Sequence, residues 1–197
     1  MTRLWLVRHG PTHARAMIGW SDLPADLSDS AAIAGLARAL PDRAPIVSSD
    51  LVRAVATADA LQAQRVRLPH APDLREMHFG AWEMRSHDEI ARSDPEAIRA
   101  FWDNPGDSRP PGGESWNSFC TRAHDALDRL VMRHGGGDII VVAHFGIVLA
   151  ALQRARGISA REVFGQRIDN LSLTEIALDG GDGWRVGRVN HLAAPVA

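Results

Sequence analysis

Four polar side chains in this chain follow short apolar runs, in a pattern that could bind a phosphoryl group. Arg8 and His9 come directly after the first apolar run, Arg53 follows the second by a few residues, and His144 follows the longest run. Guanidinium groups match phosphate oxygens with paired hydrogen bonds, and a neutral imidazole nitrogen can attack phosphorus. These residue types therefore indicate a site for a tetrahedral dianion, in which a histidine could be the nucleophile.

Transfer of a phosphoryl group also needs a proton for the departing alkoxide, and a carboxyl group in the same crevice is the usual source. Glu76, Glu83 and Glu114 are the candidates in the middle of the chain. Neighbouring cations should disfavour protonation of His9, which keeps its lone pair available near neutral pH. The choice between the carboxyl groups, above all between Glu76 and Glu83, stays open from the residues alone.

Arginine is the only basic residue type apart from histidine: the 197 residues include 22 Lys+Arg, all of them Arg, and no Tyr. This excludes Schiff-base lysines, lysine-containing phosphate loops and tyrosine nucleophiles. The net charge of −2 gives no electrostatic footprint for nucleic acid or an anionic membrane, so we expect neither as a partner. The expected partner is a small-molecule phosphate ester, met by a local cluster of cations.

The chain lacks the sequence features of a membrane or disulfide-bonded protein. Its longest apolar stretch, from Ile139 to Leu152, contains His144 and falls short of the about 18 residues needed to span a bilayer. The run from Leu4 to Val7 is too short for the core of a signal peptide. The single Cys120 cannot form an internal disulfide, so a reducing cytoplasm is the expected location.

Strands and helices alternate along the chain, which predicts an α/β fold. The predicted strands are Leu4–Val7, Ile46–Val47 and Ile139–Ala143. The predicted helices contain Ile33 to Leu40, Val52 to Leu61, Trp116 to Leu130 and Ile147 to Leu152. The expected N-caps are Ser28 or Asp29 for the first helix, one of Ser48, Ser49 and Asp50 for the second, and Glu114 or Ser115 for the third. Two alternating segments, Leu171–Leu178 and Trp184–Val189, predict a hairpin around Gly180, Gly181 and Gly183. We therefore expect a three-layer α/β/α architecture, with a mostly parallel central sheet and a late antiparallel edge hairpin.

The length predicts a single domain over residues 1–197, with an irregular insertion at about 66–111. Prolines divide this insertion, leaving room for two short helices at Ser86–Ser93 and Pro95–Trp102. Ligands of such sheets bind beyond the carboxyl ends of the strands, where the insertion should lie over the site.

The sequence motifs of this chain resemble those of the histidine phosphatase, or phosphoglycerate mutase-like, superfamily. The motifs that carry the resemblance occur in family order over nearly the whole chain: Leu6-Val7-Arg8-His9-Gly10, Ser48 to Ala54 with Thr57-Ala58, Leu74-Arg75-Glu76 with Phe79-Gly80 and Trp82-Glu83, Pro111 to Ser115, and Val142-Ala143-His144. One such tripeptide would be weak evidence, but five ordered motifs are strong.

The resemblance implies that His9 accepts the phosphoryl group and that Arg8, Arg53 and His144 bind its oxygens. It implies that Glu76 is the proton donor, and the backbone N–H of Phe145 could add another donor. It further implies that no metal and no cofactor are needed, because guanidinium and imidazole groups supply the charge stabilisation. The implied activity is a metal-independent phosphomonoesterase that works through a phosphohistidine.

This chain departs from the family pattern at two positions. Pro11 stands where most members carry Glu or Gln, and Arg15 stands where many carry Asn. Arg15 could replace the lost amide as a phosphate contact or could point to solvent, and both readings stay open. A non-catalytic phospho-ligand binding module is therefore kept as an alternative.

A mutase is the other alternative, but the chain lacks the long basic insertion that holds a substrate carboxylate in that branch. The short connection that ends at Pro110 to Ser115 looks more like the α-ribazole phosphatase branch, so α-ribazole 5′-phosphate is a possible substrate. Trp82, Trp102 and Trp116 could line a pocket for an aromatic leaving group, although core packing is favoured for them. Trp20, Trp184 and the closing hairpin could offer an edge for a homodimer.

Overall fold

Five strands form one mixed sheet across the residues that the structure, a computed structural model, describes, which are 1–179 and 183–196. The strands are β1 (Thr2–Arg8), β2 (Ile46–Ser48), β3 (Asp138–Ala143), β4 (Leu173–Asp179) and β5 (Gly183–Val186). Their order is β2-β3-β1-β4-β5. β3 is parallel to both β1 and β2, whereas β4 is antiparallel to β1 and β5. The predicted sheet, with parallel strands at its centre and an antiparallel hairpin at one edge, is confirmed.

Helices connect these strands and cover the sheet. They are α1 (Ser30–Ala39), α2 (Val52–Gln62), α3 (His87–Ser93), α4 (Pro95–Asp103), α5 (Trp116–His134), α6 (Phe145–Arg156) and α7 (Ala160–Phe164), with 3-10 turns at Pro72–Leu74 and Gly80–Trp82. The 3-10 turns and α7 were not expected from the sequence, because pieces this short carry no clear periodicity. Predicted and observed bounds of the other helices agree to within a few residues, and α6 extends four residues beyond its predicted end.

Alternate side chains of each central strand face opposite helical layers. Leu4 and Leu6 of β1 pack in a cluster with α5 and α6, whereas Trp5 and Val7 pack in a cluster with α1 and α2. This division follows from the two-residue period of an extended strand. The sheet is covered on both faces, so the expected three-layer architecture is confirmed.

Side-chain caps fix where helices α1 and α5 begin. The Asp29 carboxylate accepts a hydrogen bond from the Ala32 amide, which starts α1 at one of its two expected caps. Ser115 caps α5 in the same way through the Ser118 amide. The cap expected for α2 among residues 48–50 was wrong, because its N-cap is Leu51 and has no side-chain cap. Asp50 is instead paired with Arg75, at 2.7 and 2.5 Å.

The closing hairpin begins and ends close to its predicted bounds, and the predicted turn at Gly180 and Gly181 lies outside the described residues. The tryptophans suggested for a dimer edge both have partners within the chain. Trp20 donates a hydrogen bond to the Glu76 carbonyl, and Trp184 lies beneath the Arg154 guanidinium. A homodimer stays a prediction. Within the described ranges, no helix is long and apolar enough to cross a membrane.

The parallel strands bring the predicted site residues to one edge of the sheet. Arg8 is the last residue of β1 and His144 directly follows β3, so both lie at strand carboxyl ends. Arg53 lies in the first turn of α2, which follows β2. Because parallel strands end at the same edge, residues far apart in sequence meet there.

Candidate active site

His9 is held in one tautomer at the end of β1. Its ring Nδ1 lies 2.6 Å from the Gly10 carbonyl, which can only accept, so Nδ1 carries the proton. The other nitrogen, Nε2, keeps its lone pair and accepts a hydrogen bond from Nε of Arg53 at 3.2 Å. Burial, reinforced by Arg53, lowers the pKa of His9 to about 3. The imidazole is therefore neutral near pH 7, and one of its ring nitrogens, Nε2, is unprotonated.

Arg53 is fully buried beside His9 and is fixed by a loop from the start of the chain. Its Nη1 and Nη2 donate to the carbonyls of Ser21 and Gly19 at 2.9 and 2.6 Å. Three of its five N–H groups are thus used, counting the bond to His9. Burial lowers the pKa of this guanidinium, but arginine keeps its charge in proteins. Two N–H groups stay available for an anion.

Arg8, the last residue of β1, is partly buried, and its guanidinium lies beside the first turn of α6. Its Nη1 donates to the Ile168 carbonyl at 2.6 Å, and its guanidinium lies 5.3 Å from the ring centre of Phe145. Burial lowers its pKa, as it does for Arg53. The Phe145 amide belongs to the first turn of α6, where helix N–H groups have no intrahelical acceptor. Arg8 and this helix end add positive potential to the same place.

His144 is the N-cap residue of α6 and lies with its ring centre 5.1 Å from that of His9. Its Nε2 shares a hydrogen bond of 2.7 Å with the Ser49 hydroxyl, and the side chain is fully buried. Burial, followed by the proximity of His9 and Arg53, holds its pKa well below the usual range. This imidazole is also neutral near pH 7.

Two side-chain atoms of this cluster have no partner although they are buried. Among the described residues, the buried side-chain N and O atoms without a hydrogen bond are Arg8 Nε, His144 Nδ1 and Ser172 Oγ. An unsatisfied buried polar atom costs about 1–3 kcal/mol, so such atoms concentrate where a ligand completes them. Two of the three belong to predicted phosphoryl-binding residues, of which Arg8 contributes to the cavity that also contains His9 and His144 does not.

Glu76 reaches the cluster from the irregular middle segment and is held by two backbone amides. Its carboxyl oxygens accept from the amides of Met77 and Gly146, at 2.8 and 3.1 Å. The side chain is 8% exposed, and burial raises its pKa against the opposing effect of these hydrogen bonds. A carboxyl group with a raised pKa can be protonated near neutral pH, as a general acid must be.

Glu83 is only half-buried and occupies a different environment, in which it organises a loop. Its carboxylate accepts hydrogen bonds from the amides of Gly19, Trp20, Ser21 and Phe79 and from the Ser21 hydroxyl. Burial alone would raise its pKa, but these bonds together hold the pKa below the usual range. A carboxylate with five donors is a poor proton source. Its loop is the one that fixes Arg53, so Glu83 supports the cluster from outside.

The third carboxylate candidate, Glu114, is also committed elsewhere. It forms a two-bond ion pair with Arg122 at 2.8 and 2.6 Å and accepts from the His78 amide. Glu114 does not line the cavity that contains His9 and Glu76. Of the three carboxyl groups, Glu76 alone combines a raised pKa with access to this cavity.

The cluster opens into a cavity of about 250 Å³. The charged and polar part of its lining is Arg8, His9, Thr12, Arg53 and Glu76, and the remainder is Ala14, Ala16, Met17, Ile18, Phe79, Trp102 and Phe145. Of the three tryptophans considered from the sequence, Trp102 lines this cavity and is 45% exposed. The other two are buried in the core.

Arg15 is exposed and is not part of this lining. Pro11 lies outside the lining too, and its carbonyl accepts a hydrogen bond of 2.6 Å from the Asp26 amide. Of the two readings of Arg15, the geometry favours the one in which it points to solvent. Neither Pro11 nor Arg15 contributes a group to the cavity wall.

Sequence reasoning missed the residues that hold the cluster without lining its cavity. The Thr57 hydroxyl accepts from the Gly10 amide at 3.0 Å, and the Asn170 amide group donates to the His9 carbonyl at 2.8 Å. At Gly146, an added Cβ would lie 2.2 Å from a carboxyl oxygen of Glu76. Thr57 stands inside a recognised motif and Gly146 lies two residues after one, which was a usable signal. Asn170 carried no signal, because its contact spans 161 positions.

Fold and site together define an α/β protein that presents an imidazole, two guanidinium groups and a protonatable carboxyl group to one small cavity at the carboxyl edge of its parallel strands. Within the described part of the chain, no three His, Cys, Asp or Glu side chains lie close enough to hold a metal ion. The chain belongs to the histidine phosphatase superfamily, branch 1, whose family model matches residues 4–191.

Individual relatives place the chain among phosphatases and mutase-like proteins. It is 37% identical to phosphoglycerate mutase-like protein 4 of Arabidopsis thaliana over 153 residues, which cover 75% of this chain and 65% of that protein. It is 30% identical to the adenosylcobalamin/alpha-ribazole phosphatase of Salmonella typhimurium, over 85% of this chain and 86% of that protein. The predicted resemblance to the α-ribazole phosphatase branch is confirmed.

The structure of YhfR from Bacillus stearothermophilus superposes with a TM-score of 0.90 at 29% identity, over 98% of this chain and 99% of that one. Several other matches are to longer proteins. The chain spans 65% of the plant relative's length and 53% of three mycobacterial relatives. The family and the fold of the chain follow from these matches.

Proposed function

We propose that this chain hydrolyses phosphate monoesters of small molecules through a phosphohistidine at His9, without a metal ion. The observation that carries the proposal is the state of the His9 ring. Nδ1 is locked to the Gly10 carbonyl, Nε2 is unprotonated, and the guanidinium groups of the buried Arg53 and the partly buried Arg8 line the same cavity. An imidazole with a fixed, unprotonated nitrogen in a cationic cavity is suited to attack phosphorus and poorly suited to a structural role.

In the first step the Nε2 lone pair forms a bond to phosphorus while the bond from phosphorus to the ester oxygen breaks. Arg53 now donates to Nε2, so binding requires its N–H to turn to a phosphoryl oxygen and release the lone pair. Arg8 and His144 supply further donors through the two buried atoms that have no partner. The positive charge that develops on the ring is stabilised by the Gly10 carbonyl, which already accepts from Nδ1.

Glu76 supplies the proton that the departing alkoxide needs. Burial raises its pKa, which favours the protonated form that a general acid needs. In the second step the Glu76 carboxylate takes a proton from water, the water oxygen bonds to phosphorus, and the bond between phosphorus and Nε2 breaks. Phosphate leaves, and His9 and Glu76 return to their starting protonation states.

The cavity lining supports an apolar or aromatic leaving group. Beyond the charged and polar residues, its wall is aliphatic or aromatic and includes Phe79 and Trp102. No cation in the lining is left to hold a second anionic group, because Arg8 and Arg53 are both at the phosphoryl position. This favours hydrolysis over mutase chemistry on phosphoglycerates, whose carboxylate needs a partner. α-Ribazole 5′-phosphate, which carries an aromatic base, is the substrate that we propose to test first.

Purified protein should hydrolyse p-nitrophenyl phosphate in the presence of a chelator and be inhibited by vanadate. His9→Ala should lose this activity, whereas His13→Ala, an exposed histidine outside the cavity, should keep it. A panel of nucleotides, sugar phosphates, phosphoglycerates and α-ribazole 5′-phosphate then ranks substrates by kcat/KM. Full activity in His9→Ala would overturn the mechanism. Phosphate binding without turnover of any panel member would favour a binding module instead.

A further inference from the structure

We propose that Arg122, in the middle of α5, is a positioning residue for the general acid, and that it acts with Glu114 as one unit. The proposal rests on the proposed function, since it assigns to Arg122 the placement of the Glu76 carboxyl group. Arg122 does not line the cavity, so it touches neither substrate nor the reacting atoms. Its role is argued from where its hydrogen bonds go.

All five N–H groups of the Arg122 guanidinium are used in hydrogen bonds. Their acceptors are backbone carbonyls of the segment that carries Glu76, and the carboxylate of Glu114, which itself contacts this segment. Nη1 donates to the carbonyls of Asp73 and Arg75 at 2.8 and 3.0 Å, and Nη2 donates to the Glu76 carbonyl at 3.1 Å. Nε and Nη2 donate to Glu114 at 2.8 and 2.6 Å. One side chain therefore holds three carbonyls within four consecutive residues.

Glu114 extends this hold past the acid on the other side. Its Oε2 accepts from the His78 amide at 2.9 Å, and its own amide donates to the His78 carbonyl at 2.9 Å. The backbone of the acid segment is thus held before, at and after Glu76 by one ion pair. Both side chains of the pair are about one-fifth exposed, which shields the pair from full solvent screening.

The Glu76 carboxyl group needs this fixed backbone because its other contacts tolerate little displacement. One carboxyl oxygen accepts from Gly146, the glycine at which an added Cβ would collide with Glu76. The Trp20 indole also donates to the Glu76 carbonyl, at 2.8 Å. A misplacement of about 1 Å costs about 10²-fold in rate when a reacting group must be aligned. A shift of the backbone would therefore cost proton donation and leave phosphoryl binding intact.

The Arg122→Lys variant keeps a positive charge but has three N–H groups on a single nitrogen in place of a planar fork. We expect kcat/KM for an alkyl phosphate to fall about 10²-fold, because kcat/KM reports the steps up to formation of the phosphohistidine and an alkoxide leaves only when it is protonated. For p-nitrophenyl phosphate, whose phenolate needs little protonation, we expect a loss of kcat/KM of less than about threefold. The inhibition constant of inorganic phosphate should stay within about twofold, because no phosphoryl-binding residue is changed.

The matched control is Arg129→Ala, on the same helix. Arg129 pairs with the side chain of Asp73 at 2.5 Å and holds none of the three carbonyls. This variant should leave the ratio of the two kcat/KM values unchanged. Glu114→Gln keeps an acceptor for the His78 amide and removes the charge that orients Arg122, so we expect the same selectivity with a smaller loss.

Equal losses on both substrates in Arg122→Lys, or the same selective loss in Arg129→Ala, would overturn the proposal. If circular dichroism shows that Arg122→Lys does not fold, the Glu114→Gln variant takes its place. A loss of activity that is selective for the alkyl phosphate then supports the proposal, and an equal loss on both substrates, or no loss, overturns it. Glu76→Gln run in parallel separates two failures. If Glu76→Gln is selective and the Arg122 and Glu114 variants are not, only the positioning role fails. If Glu76→Gln is unselective, the proposed acid fails with it.

Discussion

Nε2 of His9 accepts a hydrogen bond from Nε of Arg53 at 3.2 Å, although one of the two side chains is a fully buried cation and the other is a buried base. This contact accounts for two properties of the resting site. It acts together with burial to keep His9 unprotonated, and it places an N–H donor of Arg53 beside the position where a phosphoryl oxygen must lie. The same contact links the chemistry of the site to the stability of the fold.

The first prediction concerns stability at acidic pH. His9 has an ordinary pKa of 6.5, which it recovers in the unfolded chain, and a pKa of about 3 when folded. Between these values the unfolded state binds a proton that the folded state does not, so stability falls as pH falls through this window. One such proton costs up to about 1.4 kcal/mol per pH unit. Urea unfolding of His9→Gln should therefore give a shallower loss across the window, and a slope equal to that of the wild type would contradict the depressed pKa.

The second prediction separates the two carboxylates that the sequence left open. Glu76→Gln should lower kcat/KM about 10²- to 10⁴-fold for alkyl phosphates and much less for p-nitrophenyl phosphate, because kcat/KM reports formation of the phosphohistidine and only a poor leaving group depends on the proton in that step. Glu83→Gln should weaken the loop that holds Arg53 and lower both activities by a similar factor. A leaving-group series measured on both variants checks this. The reverse pattern would assign the acid to Glu83.

The third prediction concerns the leaving-group end of the cavity. Trp102 lines the cavity, and its ring is packed edge-on against Phe101 and Phe164, with centroids at 5.0 and 6.0 Å. Trp102→Ala should lower kcat/KM for aryl phosphates about tenfold, since an aromatic contact contributes about 0.5–1.5 kcal/mol. Small alkyl phosphates should change little. Trp184→Ala, which removes a tryptophan remote from the cavity, is the control. An equal loss for both substrate types would remove Trp102 from substrate selection.

The fourth prediction isolates an arginine with a purely structural role. Arg65 is buried and donates to the carbonyls of Pro41, Leu61, Ala37 and Leu40, which cluster at the carboxyl-terminal ends of α1 and α2. Arg65→Met leaves these acceptors without a donor and should lower the free energy of unfolding by about 2–4 kcal/mol. The kcat/KM of the folded fraction should not change. Arg43→Met, at an exposed position nearby, should be neutral by the same denaturant measurement, and a neutral Arg65→Met would contradict this role.

The sheet and its helices could be predicted because their signals are local. The short apolar run of β1, the long apolar run of β3 and the Asp29 cap all act within a few residues. Arg8 and His144 could be placed for the same reason, since the end of a parallel strand fixes the edge at which its next residue lies. The cap of α2 was mispredicted because Asp50 has a stronger long-range partner in Arg75.

From the residues alone, neither the choice between Glu76 and Glu83 nor the support of the acid could be predicted, and only the family resemblance assigned the acid to Glu76. Glu76 and Glu83 lie seven positions apart in an irregular segment, and four of the five donors that occupy Glu83 come from residues 19–21. Arg122 contacts the acid segment across 46 positions. Such contacts follow from how the segment folds over the sheet, and no spacing in the sequence encodes them.

The central claim is the covalent intermediate on His9, and trapping it is the most direct test. Wild-type protein mixed with a phosphate monoester and quenched within one turnover should carry an acid-labile, base-stable phosphoryl group, which peptide mass spectrometry assigns to His9. Glu76→Gln should accumulate more of it with p-nitrophenyl phosphate, because loss of the base slows hydrolysis of the intermediate. Rapid turnover with no phosphoryl group on His9, or with the group on another residue, would contradict the account.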